Sequence, residues 1–475
     1  MNRLECSTIY LARLVLEAET ALSISTGNPD GVFDTALVRD ANGLPAIPGT
    51  SLAGVLRHLW TDLHGEAEAE ELFGFQKGGD GAPSRVQVSW GALLDSWGHP
   101  AEGLLLGEEE KRLEDELYAA VLDQADNPVL RDRVCLTPRG AAAHEGKFDR
   151  SVLPAGHRFA VEVRLWSADE DDPRWDKLLA LFAHPLLRLG GGTRAGLGAM
   201  RLVSCHRRSF QLAGGRDARA LAQLGPGLAD TGGLTPHSPR PFETAGILRG
   251  ALILQARGPW RIGQGNVSLR PNEPKVADLL PKTEECITWE DGRGRRRLRQ
   301  CLFPASSLKG ALAHRMDFHD RRFHGEWAGE SPVEDTRTAT VEALLGAVKD
   351  QDGGRAGALY LDDAWVAVSP ERVGRLVHNA IDRFTGGVRN RVLFEEETLH
   401  GGEIRIPLTL HLERIPEECR EAVRRALKAT LDDLCQGRLA LGSRITIGNG
   451  VFQGRLEGEL GRWLEGTEPT QEAAA

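Results

Sequence analysis

Two loops in this chain combine glycine with a single arginine: LGGGTRAGLG at 189–198, with Arg194, and LGSRITIGNG at 441–450, with Arg444. Glycine permits close backbone approach, so such a loop can offer amide N–H groups and one cation to a sugar-phosphate chain. The same glycines also suit a plain turn between a helix and an edge strand. A second recurring feature is PGTSLAGVLRH at 48–58, which returns as PASSLKGALAH at 304–314. Ser51 and Ser307 stand where a helix begins, and a helix start with free N–H groups attracts anions, although a plain N-cap needs no ligand. Arg57 follows about two turns into the first copy; the second has Lys309 earlier and Ala313 in place of the arginine, so the two sites are not equivalent. His58 and His314 also recur. A pair of general acids is one reading, but each lies on a helix that must pack, and they are taken as structural.

The chain has 475 residues, 58 Lys+Arg against 68 Asp+Glu, and a net charge of −10. An acidic balance argues against a general polyanion binder, but screening lets a basic groove coexist with acidic outer surfaces. The densest positive run, RGRRRLR at 293–299, reads either as a solvated loop or as a local polyanion contact. Seven scattered cysteines without CxxC or Cys/His spacing read as reduced thiols and exclude structural zinc. No long uncharged apolar run and no signal-peptide core occur, so a cytoplasmic protein without membrane contact is expected. P-loop, GxSxG and dinucleotide fingerprints are absent as well.

The elements that must position these residues are themselves duplicated. After the shared PxxSLxGxLxH segment, LFGFQKGGDGAPSRVQVSW from Leu72 matches LLGAVKDQDGGRAGALYLDDAW from Leu344. GAAAHEGKFDRSVLPAG, ending at Gly156, is echoed by GGVRNRVLFEEETLHGG, ending at Gly402. Strict alternation follows in both: Phe159, Val161, Val163 and Leu165 in one, Ile404, Ile406, Leu408 and Leu410 in the other, which is the period of a strand with one buried face. Leu178, Leu181 and Phe182 then mark a short helix, and Val423, Leu427, Leu431 and Leu434 a longer one. With first strands near Ile9–Leu16 and 247–256, each half reads β-α-β-β-α-β, a ferredoxin-like plan in the α+β class. The expected organisation is a first module over 1–212, a linker over 213–244, a second module over 245–465 and a frayed tail over 466–475.

FDTALVRDANGLPAIPGTSLAGVLR, the LFG segment and GGGTRAGLG before a final strand, in a chain whose ordered motifs occur twice, resemble the RAMP superfamily of CRISPR-associated proteins. More closely, the chain resembles the backbone subunits of type III effector complexes, and its two modules resemble the fused double backbone subunits of type III-D-like systems. The resemblance implies two ferredoxin-like, RRM-like modules with insertions and thumb hairpins, here at 133–150 and 382–396. It implies a guide RNA held along the modules and complementary target RNA cut beside it. Arg133, Arg139 and Lys147 in the first thumb, with Arg383, Arg389 and Arg391 in the second, are then backbone-tracking cations. The catalytic aspartate of the family matches Asp34 in GVFDTALV, which would hold Mg²⁺ or Mn²⁺ transiently. In the second copy Asp278 in KVADLLPK takes that place, with Asp291 as rival, because an insertion lengthens the loop before Pro304. Implied partners are a large signalling subunit, a small helical subunit, a guide-end-binding subunit and further backbone subunits. Two alternatives remain open: a purely architectural RNA-binding subunit, and a precursor guide-RNA processing endonuclease working through histidine.

Overall fold

In the computed structural model residues 6–27, 35–137, 140–240, 246–263, 265–327, 337–347 and 354–467 are described. The first module is built on β1 (Thr8–Ala18), apolar at nearly every position and buried along most of its length, as a central strand covered on both faces must be. It is followed by α1 (Gly49–His64), β2 (Val86–Val88), α2 (Glu116–Asp123), β3 (Arg133–Leu136), β4 (Ala142–Phe148), β5 (Arg158–Ser167), α3 (Arg174–Ala180) and β6 (Met200–Gln211). The antiparallel order is β6-β1-β5-β2. Leu52, Leu56, Leu59 and Trp60 recur at helical spacing on α1 and seat it on this sheet.

The second module repeats the plan with β7 (Ile247–Ala256), β8 (Thr283–Glu290), β9 (Arg293–Phe303), α4 (Ala305–Phe323), β10 (Leu359–Leu361), β11 (Ala364–Val366), β12 (Val373–His378), β13 (Phe394–His400), β14 (Glu403–His411), α5 (Arg420–Cys435), β15 (Phe452–Gly458) and α6 (Glu459–Leu464). Its sheet order is β15-β7-β14-β10. In both modules the last strand lies beside the first, then the third, then the second, which is the ferredoxin-like order expected from the repeat. Ile404, Ile406, Leu408 and Leu410 are buried, and Val423, Leu427, Leu431 and Leu434 meet them from α5.

Two features were not visible in the pattern. Residues 213–240 fold back over the first sheet: Thr235–Pro236 pairs with β6, Leu234 packs on Leu11 and Phe210, and the buried Arg13–Glu162 pair donates to the Gly225 carbonyl. The run 293–299 is not a loop; it forms most of β9, hydrogen-bonded to β8. Asp291 and Gly292 make the turn between them, both at positive φ (50° and 77°), as a two-residue primed turn requires. That accounts for Asp291, and the insertion noted in the sequence is this hairpin.

The β8–β9 hairpin belongs to the second module but lies on the first. Ile287 N donates to the Ala155 carbonyl (2.8 Å), Trp289 Nε1 to Gly156 (2.8 Å), and Gly294 N to Ser96 (2.8 Å). Gly156, at φ 89°, is obligatory here because a Cβ would run into the Ile287 carbonyl. Arg158 stacks on Trp289 at 4.1 Å and Arg293 on Trp97 at 4.2 Å. Among the described residues no helix is long and apolar enough to cross a membrane.

Candidate nucleic-acid interface

Where the modules meet, the first glycine-rich loop lies against the start of α4 and the strand β10. Gly196 approaches Asp363 so closely that a Cβ would strike its carboxylate. Asp363 Oδ1 accepts the N–H of Ala305, the first residue of α4 (2.8 Å), and Oδ2 lies 2.9 Å from Arg131. Arg131 also grips Glu284 (Nη2 to Oε2, 2.7 Å), and all three side chains are buried. Burial works against the Arg131 charge, but Asp363 and then Glu284 overcome it and raise its pKa. Arg188 pairs with Asp362 beside them.

Around this neutralised lock sits a second set of cations. Arg133 and Arg150 rise from the first hairpin: the Arg150 guanidinium lies on Gly191, and Arg133 lies beside Gly192. Arg194 donates to the Gly357 carbonyl (2.6 Å) and the Tyr360 hydroxyl (3.1 Å), with its guanidinium 4.9 Å from that ring. Lys309 comes from α4, and Arg337 precedes the next helix of the same module. Burial first, then the like charges of Arg194, Arg337 and Arg133, push the Lys309 ammonium down to about 8. Arg133 is lowered by burial, then by Arg150 and Arg131. None of the five makes a salt bridge among the described residues, and Asp363 and Glu284, beside them, are held by Arg131. The Nε atoms of Arg133 and Arg150 are buried without a partner. Five unneutralised cations held together by both modules form a site for an anion with several oxygens.

The expected residues fall into three groups. Arg133, Arg194 and Lys309 are brought together at the junction, with Ser307 exposed one turn along α4. Ser51 and Ser307 do not cap: Pro48 and Pro304 hold the N-cap positions, no side chain caps either helix, and both serines lie within the first turn. The prolines set the helix start, so each serine falls a few residues too late. Arg57 is committed locally, to the Gly74 carbonyl and Glu66 at 3.0 Å each. Lys147 is exposed near Asp132 (3.7 Å). Arg383 and Arg389 lie on the exposed tip joining β12 to β13, without carboxylate partners among the described residues. Asp34 and Arg139 lie outside the described residues; Thr35, beside Asp34, accepts from the amide of Ser151, the neighbour of Arg150 (3.4 Å). Arg150 and Arg337 were missed: an arginine beside a turn has no sequence signature, and only tertiary structure groups it with others.

The second glycine-rich loop is built differently. Arg444, in the left-handed region (φ 59°), lies 3.5 Å from Glu396, a carboxylate with 0% exposure. Arg261 (2.8 Å) and His378 (3.0 Å) hold the same carboxylate, and Arg444 stacks on Phe394. Asp278 lies alongside, exposed, its Oδ2 accepting the Glu395 amide (2.8 Å), with no ion pair among the described residues. No group of three His, Cys, Asp or Glu side chains able to cage a metal occurs among the described residues. At the hairpin tip Phe384 is 95% exposed, flanked by exposed Ile381, Val388 and Leu393, on a turn where Asp382 accepts the Phe384 and Thr385 amides. His58 Nε2 accepts from Arg414 of the second module (2.8 Å), a structural contact.

Tandem ferredoxin-like modules meeting at a shared cationic junction define an α+β double-module protein. A family model described as the RAMP superfamily matches residues 15–201 and 253–453, and the chain belongs to that superfamily. Among solved structures, one similar chain comes from a cryo-EM structure of the Type III-B Cmr-beta bound to cognate target RNA, at 14% identity and TM-score 0.29. That match spans 42% of this chain and 61% of the other. No curated protein matches the chain.

Proposed function

We propose that this protein is an RNA-binding backbone subunit of a type III CRISPR effector complex, holding guide RNA along its two modules. The observation that carries this reading is the cluster of Arg133, Arg150, Arg194, Lys309 and Arg337, none of them in a salt bridge among the described residues, which takes phosphate regardless of base sequence. The exposed Phe384 tip supports the thumb role, since an apolar side chain raised on a rigid turn can wedge between bases. Complementary target RNA pairs with the guide and is cut at Asp34, with Asp278 the corresponding residue of the second module.

Cutting RNA with its own 2′-hydroxyl requires alignment of that oxygen with the scissile phosphate and charge stabilisation on the phosphorus oxygens. Asp278 fits a loosely held hard cation: it stands beside β13 with no ion pair among the described residues, and Mg²⁺ commonly takes one or two carboxylates plus substrate oxygens and water. When bound, Mg²⁺ or Mn²⁺ would supply positive charge at the phosphate. The junction cations hold the strand, and the hairpin splays it. Partners under this reading are the large signalling subunit, the guide-end-binding subunit and further backbone subunits.

The test is cleavage mapping on target RNA in the reconstituted guide complex with Mg²⁺, comparing wild type with Asp34→Ala and Asp278→Ala. One cut lost per substitution, with guide retention unchanged, supports two cutting sites. Unchanged cutting in both variants leaves an architectural subunit, and guide retention that is weaker and less salt-dependent after Lys309→Met is the expected sign that the junction holds RNA.

A further inference from the structure

The two sheets differ at one edge. In the first module the outer side of β6 is filled by the chain itself: Thr235 pairs with Arg207, Pro236 with His206, and the His237 amide donates to the Cys205 carbonyl (2.9 Å). Register carries these positions onto the second module. Arg13 faces His206 across β1–β6, and its counterpart Ala251 faces Glu457 across β7–β15, so His206 and Arg207 correspond to Glu457 and Gly458. At that place β15 ends its sheet, with no strand on its outer side among the described residues. Bare strand edges are templates for further pairing.

Beside this edge runs a cleft of about 590 Å³ between α5 and α6, with β15 as its floor. Gly454 and Gly458 lie in its floor, each close against the backbone of β7, and Leu431 and Leu456 give it apolar contact. Its charges are nearly balanced: Lys428 binds Glu465 (2.6 Å) and Asp432 (3.6 Å), and Arg455 binds Glu457 (2.7 Å). Arg462, exposed on the wall, has no carboxylate among the described residues. Lys428 and Arg455 are already paired, which leaves Arg462 as the one lining cation without a carboxylate among the described residues, and a lone cation is no track for a polyanion. An extended peptide does, with backbone pairing for affinity and alternate side chains entering the cleft for selectivity.

We propose that the outer edge of β15 receives an extended segment of a partner polypeptide as a fifth strand, its small or apolar side chains over Gly454 and Leu456 and a carboxylate on Arg462. The idea rests on the reading of the chain as a subunit of a larger assembly. It asks of a partner what residues 235–237 do within the first module.

The test is residue-resolved hydrogen exchange on the full chain, free and within the reconstituted complex. A pairing strand bonds alternate residues, so the expected result is slowing of about tenfold or more at every second amide of 452–458 in the complex, largely abolished by Arg462→Glu. Equal rates in both states, or slowing at every amide alike, would overturn the proposal. So would slow exchange in the free chain that a stop after Thr467 releases, since the chain's own end would then be the occupant. Guide retention is read in the same samples: its loss with the alternate pattern intact counts against the RNA-backbone reading and leaves the strand proposal standing.

Discussion

Lys309→Met removes one of the five junction cations while keeping most of the side chain's length and apolar contact. Each phosphate contact on a single strand contributes about 0.7 to the slope of log affinity against log salt. Between about 50 and 200 mM salt, the wild-type chain should therefore lose a further factor of about 2.6 in affinity that the variant does not lose. Fluorescence anisotropy with a labelled single-stranded RNA measures this directly. Arg57→Met is the control, because that guanidinium is engaged by Glu66 and Gly74, and its slope should stay at the wild-type value. A Lys309→Met slope equal to wild type would refute the junction as a phosphate site.

The same substitution should act on stability with the opposite sign. Burial and three arginines hold folded Lys309 near 8, against an ordinary 10.5, so between those values the unfolded chain carries the extra proton. Wild-type stability should thus rise as pH increases from about 8 to 10.5, and Lys309→Met should lack that increment while melting no lower than wild type at pH 7. Weaker RNA binding from a chain that is no less stable separates lost binding from lost fold.

Arg131→Met should destabilise the chain by about 3–5 kcal/mol in chemical denaturation, because it leaves Glu284 and Asp363 buried without their shared cation. His157, which burial holds neutral with a pKa of about 3, costs stability as pH falls below about 6.5, where only the unfolded chain gains a proton; the melting temperature of His157→Gln should fall less steeply between about pH 6.5 and 4. Phe384→Ser should change stability by less than about 0.5 kcal/mol, since the side chain is exposed, yet reduce the fluorescence of a 2-aminopurine probe splayed out of the guide–target duplex.

The modules were legible because one buried face per strand and one stripe per helix leave periods in the sequence, and because each period occurs twice. Val163, Leu408 and Leu427 lie where those periods put them. The glycine-rich loops were legible as special backbone, but their role was not: Gly196 answers to Asp363, a residue of the other module. Reading Ser51 and Ser307 as helix caps failed because Pro48 and Pro304 already held that position. RGRRRLR, open in the sequence between a solvated loop and a polyanion contact, is a strand whose arginines reach Glu285, Glu290 and Trp97, partners that its own run of charge does not reveal. The Asp-Gly pair before it, a recognised hairpin signal, held the information that was missed. Arg150 and Arg337 carry no local signal, since they become a site only when two modules close on each other.

Duplication did not duplicate the chemistry of the junction. Aligning the loops by their glycines, Gly190 with Gly442 and Gly198 with Gly450, puts Ala440 where the first module has Arg188. Aligning the second strands puts Ser89 and Trp90 where the second module has Asp362 and Asp363. The ionic lock of Arg188 with Asp362 and Arg131 with Asp363 can therefore form only between a first and a second module, in one order. At the outer ends the corresponding surfaces are apolar, with Trp90 at one end and Ile445 and Ile447 at the other, all exposed. Charged and apolar faces do not substitute for each other, since either mismatch buries an unpaired carboxylate or guanidinium. Under the proposed function each chain then contributes a single junction phosphate site at a fixed internal spacing. Its second glycine-rich loop, whose Arg444 answers to Glu396, should add less to the salt slope than Arg133 or Lys309 does.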